Sequence, residues 1–352
     1  MADSPESLNT LDISRFLANQ STPSEDRQLA ASFVQLAKDV GFFYVSGSES
    51  LVPQELVDEV FAYNERFFNL PLEKKDALAY TSCKANRGYL SFGREQASLS
   101  KDPDQIGAER EAAKDQKETF EIGNDVDPEY PEHWPNEEDI PGFTAVRLPC
   151  ARGRSLRTLT TCPQTMNRFH ILLDQLHLRL MSLLAISLDL SPDFFVPQIN
   201  GRNHCLRLLH YPPVPRSGSN NRIGAHTDFG TTTILFQDDT GGLEIEGPSG
   251  SFIPVVPKPN TFILNFGDIL ARWSNDALKS TVHRAVLPDL KPGEDPSAPT
   301  KTRRSVAYFC NPNPDALISC IPGLEGPSGK AKYPPVVAGE YYAQMLEAEI
   351  GA

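Results

Sequence analysis

The sequence predicts a mainly β protein with flanking α-helices: a double-stranded β-helix, or jelly-roll, barrel preceded by an N-terminal helical region. Three observations carry this expectation. From Cys205 onward, short apolar runs at about 205–211, 222–226, 231–237, 242–246, 252–256, 261–266, 281–287 and 303–310 are separated by Gly, Pro, Asn and Asp. Eight such strands suit two antiparallel sheets folded face to face, which leaves few exposed edges. Before Cys205 the apolar residues recur at helical spacing instead, over 22–40, 56–68 and 171–190. Finally, a His-x-Asp tripeptide on the second run and a single His on the seventh are the side chains a metal site in a barrel would need.

In chain order, Leu11-Asp-Ile-Ser reads as a first strand. The helix after it aligns Leu29, Phe33, Leu36 and Ala37, with Thr22 as N-cap, Pro23 in the first turn and Glu25 at the capping-box position. Gly41-Phe-Phe-Tyr-Val45 is a β-run, 56–68 a second amphipathic helix, and Asn69-Leu-Pro-Leu-Glu-Lys-Lys a helix restart. Residues 97–142 are polar and rich in Pro, Asp and Glu, as expected of a long cover loop, interrupted by Glu118-Thr-Phe-Glu-Ile-Gly123. The expected organisation is a helical and cover region over 1–142, a long helix within 143–200 preceded by an insertion at 146–164, the barrel core over 201–314 and a closing segment over 315–352. That segment should end in a helix packing through Tyr341, Tyr342, Met345 and Leu346.

A formal net charge of −13 on 352 residues argues against nucleic-acid or anionic-membrane surfaces, which need clustered Lys and Arg. A small-molecule partner, a monomer and a cytoplasmic setting are expected. No basic region followed by an apolar core opens the chain. The longest apolar stretch, 171–190, is interrupted by Asp174, Gln175, His177, Arg179 and Asp189, so it reads as a buried helix and not a membrane span. Six cysteines without Cys-x-x-Cys spacing read as reduced thiols, with Cys205 and Cys310 packed in strands.

His226 and Asp228, at i and i+2 on an extended segment, share a face, because strand side chains alternate with a period of two. With His283 they make a two-His, one-carboxylate set that leaves three coordination positions open, suited to non-haem Fe(II), with zinc the main competitor. Arg303 and Ser305 share a face by the same period and form a carboxylate clamp. Arg304 is the alternative clamp, but it falls on the opposite face. Tyr211 ends the strand beginning near Leu206 and offers a phenol to the same ligand. His170 and His177, seven apart on one helix, read as packing or surface residues, His133 lies in the acidic loop, and His204 and His210 flank the first barrel strand.

With His226-Thr-Asp228, His283-Arg284, Arg303-x-Ser305 and Tyr211-Pro in this order, the chain resembles the isopenicillin N synthase-like group of Fe(II)- and 2-oxoglutarate-dependent dioxygenases. Ile234-Leu-Phe-Gln-Asp-Asp and Gly241-Gly-Leu-Glu strengthen the likeness. The resemblance implies that His226, Asp228 and His283 hold Fe(II), and that 2-oxoglutarate chelates the iron with its far carboxylate on Arg303, Ser305 and Tyr211. O2 would take the last position, and ascorbate is a candidate reductant. Oxidative decarboxylation would release succinate and CO2 and leave a ferryl species to hydroxylate, desaturate or rearrange a small molecule of specialised metabolism. Tyr89, Arg207 and Phe309 match substrate-lining positions of relatives, and an Arg there suggests an acidic or phenolic substrate. The alternatives are a family oxidase that does not consume 2-oxoglutarate and a jelly-roll binding protein without catalysis. Two departures stand out: Ser46-Gly-Ser48 where the family has Asn-His-Gly, and a longer, Pro-rich connection between His283 and Arg303.

The segment 146–164 fits its surroundings badly, with four Arg, no acidic residue and no helical period. It interrupts the place where relatives run straight into a long helix. Deleting it joins Gly142-Phe-Thr-Ala145 to Thr165-Met-Asn-Arg-Phe-His and aligns Met166, Phe169, Leu172, Leu173 and Leu176. Its residues permit codons that resemble an intron's donor, branch site and acceptor, and a whole number of codons keeps the frame. The expectation is a translated intron; a genuine surface insertion is the alternative. Sequencing the spliced transcript should show a message without these codons, and their retention in the message of the active protein would end the idea.

Overall fold

Alternation along the central strands builds the molecule, because each must present apolar side chains to helices on one side and line a barrel on the other. The computed structural model describes residues 8–80, 87–95, 114–123, 133–143, 165–217, 220–290, 293–327 and 329–350. The larger sheet has the order β1 (Thr10–Asp12), β2 (Phe42–Ser46), β10 (Thr261–Phe266), β7 (Thr232–Gln237), β12 (Arg303–Cys310), β5 (Cys205–Tyr211), β4 (Glu118–Ile122) and β3 (Gly88–Leu90). The smaller runs β6 (Asn221–His226), β11 (His283–Val286), β8 (Leu243–Glu246) and β9 (Phe252–Pro254). Apart from the parallel pair β1–β2, neighbours in both sheets are antiparallel. All eight predicted runs are strands, and the fold is the expected jelly roll. The ends of the runs shift: β9 covers only Phe252–Pro254, although Val255 N–H still donates to the Leu243 carbonyl at 2.8 Å, and β11 is confined to His283–Val286.

The period of two sorts the residues. On β5, Leu206 and Leu208 enter the main core while Leu209 and Tyr211 enter a small cluster between the sheets. On β12, Val306, Tyr308 and Cys310 face the main core, and Ala307 faces between the sheets. The main core is closed from outside by helices. Helix Pro23–Asp39 has the predicted capping box: Glu25 N–H donates to Thr22 Oγ1 at 3.3 Å, and Thr22 N–H donates to Glu25 Oε2 at 2.7 Å. Helix Thr165–Ser187 is long and apolar enough to cross a membrane, yet Met166, Phe169, Leu172, Leu173 and Leu176 are all packed in the core. The insertion at 146–164 lies outside the described residues. Cys205 and Cys310 are buried within strands, as expected, and Cys205 Sγ donates to Glu121 Oε2 at 2.7 Å. Helix Ala338–Ile350 ends the described chain, and Tyr342 meets the Phe229 ring at 6.4 Å; the Leu346 side chain is outside the described set.

A polar pair sits inside the apolar layer under β12. His177, on the long helix, and His204, just before β5, have ring centroids 4.9 Å apart and are fully or almost fully buried. The Asn311 N–H donates to His204 Nδ1 at 3.0 Å, and His177 Nε2 lies 3.3 Å from Thr231 Oγ1, whose proton goes to the Cys310 carbonyl. Burial pushes the His204 imidazole down to about 3 and His177 well below its ordinary range. Both histidines are therefore packing residues held neutral, and for His177 packing is the expectation from sequence. Unfolded, they protonate near pH 6.5, so as pH falls below that value the unfolded chain binds protons that the folded chain refuses. Burial raises the neighbouring Asp174 carboxyl, which opposes part of this effect. Urea unfolding should accordingly show stability falling from pH 7 to pH 5 by roughly 2 kcal/mol per histidine before the Asp174 offset. Equal unfolding free energies at the two pH values would contradict the neutral-pair assignment.

Candidate active site

His226 is the last residue of β6 and His283 the first of β11, and the two are directly paired across the ladder. Asp228 lies two residues beyond the end of β6, in the connection to β7 and not on the strand itself. Asp268 N–H donates to the Asp228 carbonyl at 2.8 Å, and Thr227 Oγ1 donates to Asp268 Oδ2 at 3.1 Å, which fixes that connection. Gly267 permits the approach: a Cβ there would meet the Gly230 carbonyl oxygen at 2.4 Å and that of Asp228 at 2.9 Å. The result is that ligand-type atoms of His226, Asp228 and His283 lie within 4.8 Å of one another, with His283 Nε2 3.6 Å from Asp228 Oδ1.

The surrounding hydrogen bonds select which atoms remain available. His226 Nδ1–H donates to the Gly224 carbonyl at 2.8 Å and His283 Nδ1–H to the Thr281 carbonyl at 3.1 Å, which leaves each Nε2 as a lone pair. Asp228 Oδ2 accepts from Thr233 Oγ1 and from Asn265 Nδ2, both at 2.6 Å, and Oδ1 is left facing the histidines. Burial, with His226 alongside, pushes the His283 imidazole down to about 4. Burial alone would raise the Asp228 carboxyl, but the facing imidazoles and the two hydrogen bonds outweigh it and hold it low. Neutral imidazoles and a carboxylate are the metal-ligating forms, so this chain's residues fit a divalent ion.

The same cavity reaches Arg303, Ser305 and Tyr211. Arg303 is buried, donates through Nε to the Gly241 carbonyl at 2.9 Å and through Nη1 to Ser305 Oγ at 3.2 Å, and lies 4.7 Å from the Tyr211 ring. Arg304 points to the other side of the sheet and pairs with Glu65 at 3.1 Å. Charge partners separate the cavity's cations. Lys117 pairs with Glu95 and Asp115, Arg207 with Glu121 and Glu95, and Arg284 with Glu244. Among the described residues, Arg303 has no carboxylate beside it. A larger cleft of about 560 Å³, against about 60 Å³ here, opens beside Asp39, Glu246 and Lys279, but it contains no comparable ligand set.

Phe309 and Arg207 line the cavity as expected, with the guanidinium 5.1 Å from the Phe309 ring. Tyr89 does not. It is buried on β3, its hydroxyl donates to Glu118 and its ring packs on Phe67, so it belongs to the outer core. Asn265, Thr233 and Lys117 were not anticipated. For Asn265 a signal existed: it is the one amide within the apolar run Thr261–Phe266, on the same parity as Ile263 and opposite to Phe262, Leu264 and Phe266. For Lys117 there was none, because spacing does not show that Glu95, 22 residues upstream, folds back beside it and Asp115.

A barrel with this ligand set is the scaffold of a non-haem oxygenase, and comparison with known proteins places the chain within that class. Residues 202–312 match the 2OG-Fe(II) oxygenase superfamily, and residues 8–137 match the family described as non-haem dioxygenase in morphine synthesis N-terminal. The 2-oxoglutarate-Fe(II) type oxidoreductase ppzD of Metarhizium rileyi is 34% identical, over 98% of this chain and 92% of the relative. The proline hydroxylase buaE of Petromyces alliaceus is also 34% identical, over 93% and 94%. The crystal structure of a full-length Neurospora crassa protein in complex with alpha-KG and thymine superposes with a TM-score of 0.81 at 35% identity, covering 99% of this chain and 98% of that one. The chain belongs to the 2OG-Fe(II) oxygenase superfamily, and it is a 2-oxoglutarate-dependent oxidoreductase using Fe(II) and O2.

Alanine at His226, Asp228 or His283 should strongly weaken Fe(II) binding while the barrel stays folded. Thr233→Val and Asn265→Leu, which strip hydrogen bonds from Asp228, should each weaken it by roughly 10–100-fold. Metal titration of the apo-proteins, with circular dichroism as the folding control, checks both; undiminished affinity in any of the three ligand variants would overturn the ligand set.

Proposed function

We propose that His226, Asp228 and His283 are the iron ligands, that Arg303, Ser305 and Tyr211 seat the far carboxylate of 2-oxoglutarate, and that the pair acts on a small molecule of specialised metabolism. The observation that carries the second assignment is the charge balance of the cavity: a dicarboxylate co-substrate needs one buried cation not already neutralised, and Arg303 meets that need. Bound iron would supply oxygen activation coupled to oxidative decarboxylation of 2-oxoglutarate. The chain's own contribution is positional. Gly241 and Ser305 hold the guanidinium fork in one orientation, so a carboxylate arrives at a preset distance from the ligand triad. Phe42, Leu235 and Leu243 give that region apolar walls, which keep water from competing at the reacting centre. The acidic net charge and the scattered cysteines support a cytoplasmic monomer working on a small molecule, not on nucleic acid.

Arg303→Ala should raise the 2-oxoglutarate concentration needed for half-maximal succinate release by roughly 10–150-fold, the equivalent of losing about 1.5–3 kcal/mol of charge-assisted hydrogen bonding. Arg304→Ala should change it by less than about threefold, because Arg304 loses only a surface ion pair. Oxygen uptake with and without 2-oxoglutarate, measured on the wild type and both variants, tests the assignment. The reverse ranking of the two arginines would refute it.

A further inference from the structure

Besides Arg303 and Arg284, the cavity lining carries two cations, Lys117 and Arg207, and both are already engaged. Lys117 Nζ lies 3.1 Å from Glu95 Oε2 and 3.2 Å from Asp115 Oδ2, and the side chain is almost wholly buried. Arg207 contacts Glu121 through Nε and reaches Glu95 Oε1 at 3.6 Å through Nη2. Lys117, Arg207 and Phe309 line the cavity together with the ligand triad, whereas Glu95 and Glu121 are buried outside its lining. Against two cations stand three carboxylates, so the wall has no surplus positive charge. It does retain N–H donors, since an ammonium offers three and a guanidinium five.

An entering carboxylate would meet this wall badly. It would lose its hydration close to Glu95 and Glu121, and to gain Lys117 or Arg207 it would have to draw them from partners that would then be buried and uncompensated. An uncharged carbonyl can accept a hydrogen bond from either cation without disturbing those pairs. Arg303 offers the opposite environment, a buried cation with only neutral partners. The cavity thus sorts its ligands by charge, with the anion drawn to Arg303 and an uncharged group to Lys117 and Arg207.

We propose that the substrate is an uncharged carbonyl compound of the amide, lactam or imide class, received by Lys117 and Arg207, and that Glu95 is the specificity residue that excludes carboxylates. This rests on the assignment of Arg303 to 2-oxoglutarate, and it replaces the expectation of an acidic or phenolic substrate drawn from Arg207 alone. Burial pushes the Glu121 carboxyl up against the pull of Arg207, which leaves Glu95 the firmer negative charge of the wall.

The test uses neutral and acidic partners of similar shape: thymine with orotate, indole-3-acetamide with indole-3-acetate, and benzamide with benzoate. Binding is measured by calorimetry on full-length protein loaded with Mn(II) and N-oxalylglycine, and turnover by stimulated succinate release. At least one neutral member should bind ~tenfold or more tightly than its acid. Glu95→Gln, which keeps the shape and removes the charge, should bring that ratio to within about threefold. Glu121→Gln, which releases Arg207, should move it in the same direction and gives a second reading should one variant not fold. Tighter binding of the acids by the wild type, no binding by any neutral member, or an unchanged ratio in a folded variant would each overturn the proposal. A protein that fails to bind N-oxalylglycine at all would instead sink the 2-oxoglutarate assignment, whereas succinate release stimulated by the acids would sink the substrate class alone.

Discussion

The cavity wall depends on strands β5, β7 and β12 facing an apolar core on one side and polar ligands on the other. Leu206, Leu208, Ile234, Phe236, Val306 and Tyr308 belong to the helix-covered core, while Arg207, Leu209, Thr233, Leu235, Arg303, Ser305 and Phe309 line the cavity. A slip of one residue in β5 or β12 would send a guanidinium into the aromatic core and an apolar side chain onto the ligand site. The long registers Arg303↔Tyr211 to Phe309↔Cys205, and Ser305↔Gln237 to Cys310↔Thr232, are what hold that sorting in place. Fold stability and site geometry therefore share one cause. Apolar burial on the helix side, worth about 25 cal/mol per Å² removed from water, is what keeps polar groups aimed inward on the other.

The two histidines of the ligand cluster are prepared by backbone alone. Two strand ends meet at a paired position, and each histidine gives its Nδ1 proton to a carbonyl two residues earlier in its own chain segment. Because these partners are local, the tautomers are set as soon as the strands form. The carboxylate is different. Asp228 is oriented by Thr233 on β7 and Asn265 on β10, so its aim depends on the larger sheet while the histidines depend on the smaller. The triad is the point at which the two sheets must agree.

Much of this is legible from the chain. The jelly roll is readable because its strands are short, apolar and punctuated by turn residues, and the clamp because a period of two converts spacing into facing; Asp228, past the end of β6, joins the histidines through its connection and not through strand parity. Arg303 can be preferred over Arg304 on parity alone, and Arg304 does point away toward Glu65. What fails is whatever depends on partners distant in sequence. Tyr89 matches a pocket-facing position by sequence, but its hydroxyl is drawn to Glu118 and its ring to Phe67. Arg207 is correctly placed at the cavity, yet its meaning reverses once Glu121 and Glu95 are found beside it. Spacing tells where a charge points; it does not tell what already neutralises it.

The strap that delivers Lys117 has a second role, which follows from its position against β6. That strand is an edge of the smaller sheet, and its outer hydrogen-bonding groups are met by the strap: Gln116 N–H donates to the Arg222 carbonyl at 2.9 Å, and Gly224 N–H donates to Asp115 Oδ1 at 3.1 Å. Arg222 Nε returns a bond to the Gln116 carbonyl at 3.3 Å. An uncovered edge is a template on which another chain can add a strand. Residues 115–117 thus cover this strand edge with the same segment that brings Lys117 to the cavity. Evolution or engineering that loosens this strap to admit a bulkier substrate would also unmask the edge, so a broader substrate range and a rising tendency to aggregate are expected to arrive together.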